Sequence, residues 1–203
     1  MNWALAGLAG SPARRLYPET QAISAARGFA QAAHFKQIRK YTLDTPYFNH
    51  LKEVAHILHG FDCDEQTICA GYLHDVIEDT EVTADYLRRY FDKRVVDMVL
   101  EVSDVTTLKD GNRAKRKEIE RAHIARCSPQ GANVKMADIC SNSQDIVQND
   151  RNFARVYLPE MKLTLDLLSH GNVALHVHTR TVLENSFNEI FGVGNEKSYH
   201  QTT

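Results

Sequence analysis

The chain has 203 residues, of which 43% are hydrophobic and 25% are charged, and its formal net charge is −2. A chain of this length and apolar content can bury the core of one globular domain. Because it has no overall basic excess, its charge argues against a nucleic acid or an anionic membrane surface as the partner.

The predicted elements begin with an irregular arm over residues 1–18, where Gly, Pro and Ser follow no clear period. An apolar helical period then predicts a helix from about Ile23, and the proline in KYTLDTP (40–46) predicts its interruption. A second helix is predicted to end near Gly60, because glycine commonly terminates helices. Its apolar stripe consists of Leu51, Val54, Ala55 and Leu58.

A third helix is predicted over residues 64–79, with an apolar face formed by Ile68, Tyr72, Leu73, Val76 and Ile77. Thr83 is predicted to cap a short helix that runs through Phe91. Asp92 is predicted to cap the next helix, which carries valines at positions 95, 96, 99 and 102.

The stretch 104–113 has the composition of a loop, and the charged stretch 114–126 is predicted to be helical. Ser128 followed by Pro129 is typical of a helix start, so a helix is predicted from there to about Val147.

Pro159 is predicted to divide the next helical stretch, because proline disrupts a helix interior. Asn172 is predicted to cap a last helix through Phe191, and residues 193–203 form a polar, flexible tail. The sequence thus predicts a single all-α domain over residues 19–192.

The chain has four cysteines, at positions 63, 69, 127 and 140, and no C-x-x-C pair. This spacing indicates neither a zinc knuckle nor a redox motif, and scattered cysteines are typical of a reducing compartment. The N-terminal stretch lacks the basic start of a signal peptide, and no apolar run approaches the roughly 18 residues of a membrane span. We therefore expect a cytoplasmic protein without membrane association.

The stretch GYLHDVIEDT (71–80) places four ionisable groups close together. At helical spacing, Glu78 and Asp79 lie one turn beyond His74 and Asp75. Apolar residues interleave with these groups, which would repel and desolvate each other unless a cation bound them. The stretch therefore favours a divalent metal site over the alternative, a run of solvated surface charges.

Two further segments carry candidate partners for this stretch. His50 ends RKYTLDTPYFNH and stands where a loop gives way to a helix. In NVKMADICSNSQDI (133–146), one polar stripe of a helix is formed by Lys135, Asp138, Asn142 and Asp145. Apolar neighbours predict that Asp138 is half-buried and needs a partner, which is either this site or Lys135 in a surface ion pair.

Four ordered blocks resemble the HD superfamily of metal-dependent phosphohydrolases, and within it the hydrolase domain of the Rel/SpoT alarmone enzymes. The blocks are AARGFAQAAHFKQIRK, TPYFNHLKEVAHIL, AGYLHDVIEDTEVT and VKMADICSNSQDI. The resemblance covers roughly residues 22 to 170, and the short chain resembles the stand-alone small alarmone hydrolases, including the metazoan-type ones. The resemblance implies one HD-type helical domain that hydrolyses (p)ppGpp to GDP or GTP and pyrophosphate.

The resemblance also implies the metal site. Its ligands would be His50, His74, Asp75 and Asp138, and its metal Mn²⁺. Two imidazoles and two carboxylates are reasonable ligands for Mn²⁺, although Fe²⁺ and Zn²⁺ stay compatible with them. Glu78 and Asp79 match a family E-D pair that serves proton transfer and water positioning.

Contacts to the nucleotide are implied for Arg39, Lys40, Asn142, Tyr157, Arg116 and Lys117. The R-K pair at 39–40 matches residues that contact the base, and the asparagine matches one near the ribose. The tyrosine matches an aromatic residue of the nucleotide pocket. The basic pair at 116–117 could meet phosphates, although a solvated charged helix explains it equally well. His34 matches a histidine outside the metal shell and is expected to pack in the core.

The chain departs from the family pattern after its K-x-A-D element, where members usually carry a basic residue and this chain has Ile139. Cys140-Ser141 replaces larger residues and Ser143-Gln144 replaces a basic one, so the pocket wall is expected to differ from that of relatives. Two alternatives stay open: another HD nucleotide phosphatase, such as an NADPH 2′-phosphatase, and a nucleotide-sensing module with little turnover. A small nucleotide is the expected partner, and the sequence leaves a homodimer open.

Overall fold

The computed structural model describes residues 20–40, 42 and 44–192, and the predicted arm (1–18) and tail (193–203) lie outside this part. The fold is all-α, as the sequence predicts. In chain order the helices are α1 (Gln21–Ala33), α2 (Phe48–Gly60), α3 (Glu65–Leu73), α4 (Val76–Asp79), α5 (Ala84–Leu87), α6 (Lys93–Val102), α7 (Arg113–Ile124), α8 (Pro129–Asn149), α9 (Arg151–Leu165) and α10 (Val173–Phe191). A 3-10 turn at Leu108–Asp110 interrupts the predicted loop before α7.

Side-chain caps start four helices where the sequence predicts them. Each cap accepts a hydrogen bond from a backbone N–H of the first turn, and the four caps are Thr83, Asp92, Ser128 and Asn172. Such a cap satisfies a donor that has no partner within the helix. Helix α5 is shorter than predicted, since it ends at Leu87 rather than Phe91.

Helix α8 runs through the centre of the molecule and packs against α2, α3, α6, α9 and α10. Its buried apolar side chains belong to one hydrophobic core, to which the predicted α2 stripe also contributes. Burial of this apolar surface is the main favourable contribution to folding. The packing places the polar stripe of α8 beside the ends of α2 and α3, where the site forms.

Gly71 allows α3 to approach α2 closely. A Cβ atom at this position would overlap the Leu58 Cδ1 atom of α2. The absence of a side chain therefore brings the end of α3, which carries His74, up to the helix that carries His50.

The prediction of one unbroken helix over residues 64–79 is wrong at its centre. Helix α3 ends at Leu73 and α4 begins at Val76. Asp75 has φ −95° and ψ −3°, in the bridge region between helix and turn, where many active-site residues lie.

The prediction that Pro159 divides a helix is also wrong, because α9 continues through it. Proline cannot donate a hydrogen bond to the carbonyl of Arg155. Both residues are exposed, so the missing hydrogen bond lies on the solvent side of α9, while Leu158 and Met161 pack in the core. Tertiary packing of the neighbouring residues thus outweighs the local cost of the proline.

We expect Pro159→Ala to raise the free energy of unfolding by about 1–3 kcal/mol, because alanine restores a backbone hydrogen bond and removes the ring clash. Urea unfolding of the two proteins would measure the difference. Val156→Ala, an exposed change in the same helix, is the control and should shift stability by less than about 0.5 kcal/mol. An unchanged or lower stability for Pro159→Ala would contradict this account of α9.

Within the part of the chain that the structure describes, no helix is both long enough and apolar enough to cross a membrane.

Candidate metal centre and active site

Two buried histidines face each other where α2 and α3 meet. His50 lies in the first turn of α2 and His74 follows the last residue of α3, and their side chains are 1% and 3% exposed. The ring centroids lie 5.2 Å apart. The His74 Nδ1 atom donates to the Gly71 carbonyl at 2.9 Å, which leaves its Nε2 atom as the one with a free lone pair.

Two carboxylates approach the Nε2 atoms of both histidines. Asp75 Oδ2 lies 3.1 Å from His74 Nε2 and 3.6 Å from His50 Nε2. Asp138 Oδ1, from α8, lies 3.3 Å from His50 Nε2 and 3.7 Å from His74 Nε2. The structure thus brings together all four predicted metal ligands.

The donor set fits a divalent cation. Both Nε2 atoms are buried and lack a hydrogen-bond partner among the described residues, which is costly unless something binds them. One ligand atom from each of His50, His74 and Asp75 falls within 4.8 Å of the others. Imidazole and carboxylate ligands suit several divalent transition metals, so the geometry fits a metal without selecting the ion.

The break between α3 and α4 is what lets adjacent residues share this centre. In a regular helix, neighbouring side chains diverge by about 100° around the axis. At the break, the Asp75 carboxylate instead turns toward the His74 ring. Burial would raise the pKa of Asp75, but the nearby His74 and His50 outweigh it and hold the pKa well below its usual range.

Asp138 is more deeply buried than the sequence predicts, at 6% exposure. The predicted pair with Lys135 forms, with Nζ 2.9 Å from Oδ2, but it lies in the site rather than at the surface. Asn142 Nδ2 donates to the other oxygen, Oδ1, at 2.5 Å. Burial alone would raise the pKa of Asp138, yet the Lys135 ammonium and the two histidines keep it well below the usual range.

Glu78 and Asp79 line an open cleft of about 600 Å³, together with Ala33, Gln37, Thr80 and Glu81. Both residues are exposed at the protein surface, although protein atoms surround their carboxyl groups on the inner side. This burial and the charge of Asp75 raise the pKa of Glu78 to about 7, and they raise that of Asp79 as well. Glu78 Oε1 also accepts a hydrogen bond from the Asp104 backbone N–H at 2.8 Å.

Tyr47 is a site residue that the sequence did not predict, and its hydroxyl donates to Asp75 Oδ2 at 2.6 Å. Its ring stacks on His34 at a centroid distance of 5.0 Å. His34 is buried, as expected, and its Nδ1 lies 2.7 Å from Gln37 Oε1. The three-residue spacing between Tyr47 and His50 was the available signal, because it places both on one side of a helical turn.

We expect Tyr47→Phe to weaken divalent-metal binding at this centre by roughly 10-fold, because partners that orient a ligand typically contribute 10- to 100-fold to affinity. Isothermal titration calorimetry with Mn²⁺ would measure the affinity of the variant and of the wild type. Tyr90→Phe, an exposed change, is the control and should leave the affinity unchanged. Equal affinities for Tyr47→Phe and the wild type would show that Asp75 needs no support from this hydroxyl.

Four predicted nucleotide contacts lie along α8 and α9 or next to them. Arg39 is buried and donates to Asp145 Oδ2 and Asn142 Oδ1, at 3.0 and 3.2 Å. Lys40 Nζ lies 5.8 Å from the centre of the Phe153 ring. The Tyr157 hydroxyl is buried, and it makes no hydrogen bond of good geometry among the described residues. Burial raises the pKa of Tyr157, and the negative charge of Asp138 raises it further.

Arg116 and Lys117 line a second cleft of about 310 Å³. Arg116 donates to the Gly111 carbonyl at 2.7 Å, and Lys117 pairs with Glu120 and with Asp104. Since the Asp104 backbone bonds Glu78, the loop that borders this cleft also touches the first one.

Comparisons with known proteins agree with this arrangement. Residues 26–127 match a family described as the HD domain. The guanosine-3′,5′-bis(diphosphate) 3′-pyrophosphohydrolase MESH1 of Xenopus tropicalis is 37% identical over 123 residues, which cover 60% of this chain and 67% of that protein. The protein of that name from Homo sapiens is 38% identical, with the same coverage.

Solved structures show the same fold. The structure of a metazoan ortholog of SpoT that hydrolyses ppGpp has a TM-score of 0.74 and 28% identity, and the match covers 87% of this chain and 99% of that one. The structure of lmo0812 from Listeria monocytogenes, with a TM-score of 0.59 and 21% identity, is similar in fold; that match covers 71% of this chain and 98% of that one. With half of its residues matched to the family and its histidines and aspartates gathered in one centre, the chain belongs to the HD domain family.

Proposed function

We propose that this protein is a Mn²⁺-dependent (p)ppGpp 3′-pyrophosphohydrolase. The observation that carries the proposal is that the Nε2 atoms of His50 and His74 are buried and face carboxylate oxygens of Asp138 and Asp75 at 3.3 and 3.1 Å. The relatives named for this activity, and the structural neighbour that hydrolyses ppGpp, support the choice of substrate. We place the protein in the cytoplasm, because all four cysteines are free thiols, as expected in a reducing compartment.

The cation would be held by His50, His74, Asp75 and Asp138. When bound, it would supply Lewis-acid stabilisation to the phosphoryl group and lower the pKa of water. In the overall reaction, a water oxygen bonds to the phosphorus attached to O3′, and the P–O3′ bond breaks. Pyrophosphate and GDP or GTP are released, and O3′ takes up a proton.

Glu78 and Asp79 are the candidates for moving these protons. A carboxyl group whose pKa lies near 7 can accept a proton from water and return it at neutral pH. The Asp104 backbone N–H holds the Glu78 carboxylate at the wall of the cleft. Asp79 lies on the same wall, where it can orient the water or pass the proton to solvent.

The nucleotide would lie beside the metal centre, along the part of the α8 stripe that follows Asp138. The Arg39 guanidinium is held in place by Asp145, and a planar guanidinium is a group on which a purine could stack. Asn142 and the unpartnered hydroxyl of Tyr157 are placed beside Asp138, where they could bond the ribose. The basic side chains of the second cleft, Arg116 and Lys117, would meet phosphates.

Pyrophosphate release from ppGpp, with and without Mn²⁺, tests this function in the wild type and in Asp138→Ala. We expect release that needs the metal and falls to background in the variant. A parallel assay of orthophosphate release from NADPH tests the main alternative, an NADPH 2′-phosphatase. Metal binding with no release from ppGpp would contradict the proposal, and tight ppGpp binding without turnover would indicate a sensing module.

A further inference from the structure

His50 differs from His74 in what holds the far side of its ring. The His50 Nδ1 atom lies 2.9 Å from the hydroxyl of Ser141, on α8. The same hydroxyl donates to Glu53 Oε2, also at 2.9 Å. Ser141 is 1% exposed, so this hydroxyl has no access to bulk water. Glu53 lies one turn after His50 on α2, and its side chain reaches the surface.

The direction of these bonds follows from their chemistry. A carboxylate can only accept hydrogen bonds, and a serine hydroxyl has one hydrogen to donate. That hydrogen goes to Glu53, so the hydroxyl meets His50 with a lone pair and must accept from Nδ1–H. The proton of neutral His50 is then on Nδ1, and the lone pair is on Nε2, which faces Asp75 and Asp138.

We propose that Ser141, oriented by Glu53, is a positioning residue that fixes the tautomer and ring orientation of His50 for metal binding. The inference rests on the proposed metal site. For His74 the backbone carbonyl of Gly71 performs this task, so no side chain is needed. His50 instead depends on two side chains from different helices. In many metal sites the group that bonds the second nitrogen of a ligating histidine contributes roughly 10- to 100-fold to affinity.

The short side chain of Ser141 lies at a buried position of α8, and its hydroxyl joins His50 to Glu53.

Zn²⁺ affinity of the whole chain, measured by competition titration, tests the proposal. We expect Ser141→Ala to bind Zn²⁺ roughly 10- to 100-fold more weakly than the wild type. Ser143→Ala is the matched control, because Ser143 is buried on the same helix and its hydroxyl donates to the Ile139 carbonyl of its own helix rather than contacting a histidine of the site. It should bind Zn²⁺ as the wild type does.

Glu53→Ala is the second variant, and it keeps the test valid where Ser141→Ala does not fold. The Glu53 side chain reaches the surface, so the variant should fold. We expect its Zn²⁺ affinity to be roughly 3- to 10-fold weaker than that of the wild type, a smaller loss than for Ser141→Ala, because Ser141 contacts His50 directly. Lys52→Ala, the exposed neighbour on α2, is its control.

The second readout is the ring N–H of His50 in the ¹⁵N spectrum of the Zn²⁺-loaded protein. A slowly exchanging Nδ1–H is expected in the wild type, with faster exchange in Ser141→Ala and Glu53→Ala. A role confined to holding α2 and α8 together would lower stability without changing this signal.

Two results would overturn the proposal. Equal Zn²⁺ affinities for Ser141→Ala and Ser143→Ala would show that Ser141 does not position His50. Pyrophosphate release by the wild type would still support the proposed hydrolase function. A wild type that binds neither Zn²⁺ nor Mn²⁺ would remove the metal site and the positioning role together.

Discussion

Asp75→Ala is expected to abolish metal binding and pyrophosphate release together. Asp75 Oδ2 lies within 3.6 Å of the Nε2 atoms of both histidines, so the substitution removes one of the two carboxylates that face them. We expect the affinity for Mn²⁺ to fall at least about 100-fold and the rate of release to fall to background. Titration with Mn²⁺ and a pyrophosphate assay at saturating metal would measure the two effects.

Glu78→Gln is expected to separate these two effects. The amide oxygen of glutamine can still accept from the Asp104 N–H, so the cleft should keep its shape. The amide cannot accept a proton, and loss of a general base typically lowers kcat by about 10²- to 10⁴-fold. We therefore expect this loss in kcat with Mn²⁺ affinity within a few-fold of the wild type.

The control for Glu78→Gln is Glu118→Gln, the same change at an exposed residue of α7 that pairs with Lys115. Glu118→Gln should change neither kcat nor the affinity for Mn²⁺. If Glu78→Gln loses Mn²⁺ as completely as Asp75→Ala, then Glu78 is a metal ligand and the division of roles proposed here is wrong.

Signals that act over a few residues predicted much of the fold. The caps at Thr83, Asp92, Ser128 and Asn172 are correct because a cap bonds backbone groups two or three residues away. The apolar stripes are correct because helical period alone decides which side chains share a face.

The errors arose where tertiary contacts outweigh local preference. Nothing in the spacing of residues 64–79 indicates that the chain leaves the helix at Asp75, because the Tyr47 and histidine contacts that hold this carboxylate come from elsewhere. At Pro159 the local signal was strong, but core packing on both sides keeps the helix intact.

The predicted metal ligands came from motifs, and the structure adds what supports them. Ser141 and Glu53 are 88 residues apart, and Ser141 and His50 are 91 apart, so no period or motif within the sequence could join them. Lys135 was predicted as an alternative partner that would keep Asp138 out of the site. The structure shows that one oxygen of Asp138 pairs with Lys135 while the other faces the histidines, so both interpretations hold for the same carboxylate.

Asp138→Ala is expected to destabilise the metal-free protein as well as to prevent metal binding. It removes the closest counter-charge of Lys135, whose side chain is 23% exposed. Removal of one partner from a buried ion pair typically costs about 3–5 kcal/mol. Because Lys135 keeps some contact with water, we expect a loss of stability at or just below the lower end of this range, about 2–3 kcal/mol, measured by urea unfolding. The pKa of Asp138 in the folded state is held below its usual 3.8. The difference in stability between the wild type and Asp138→Ala should therefore be fully present above pH 3.8 and become smaller at lower pH.

The double variant Lys135→Met/Asp138→Ala distinguishes an unpaired charge from a simple loss of contacts. It removes both charges and keeps an apolar side chain of similar length, so we expect most of the lost stability to return while metal binding and activity stay absent. Asp97→Ala is the control, because it breaks the exposed Lys93–Asp97 pair and should cost less than about 1 kcal/mol. If Asp138→Ala costs no more than Asp97→Ala, or if the double variant recovers nothing, then Lys135 is not held in the site by Asp138, and the carboxylate serves the metal alone.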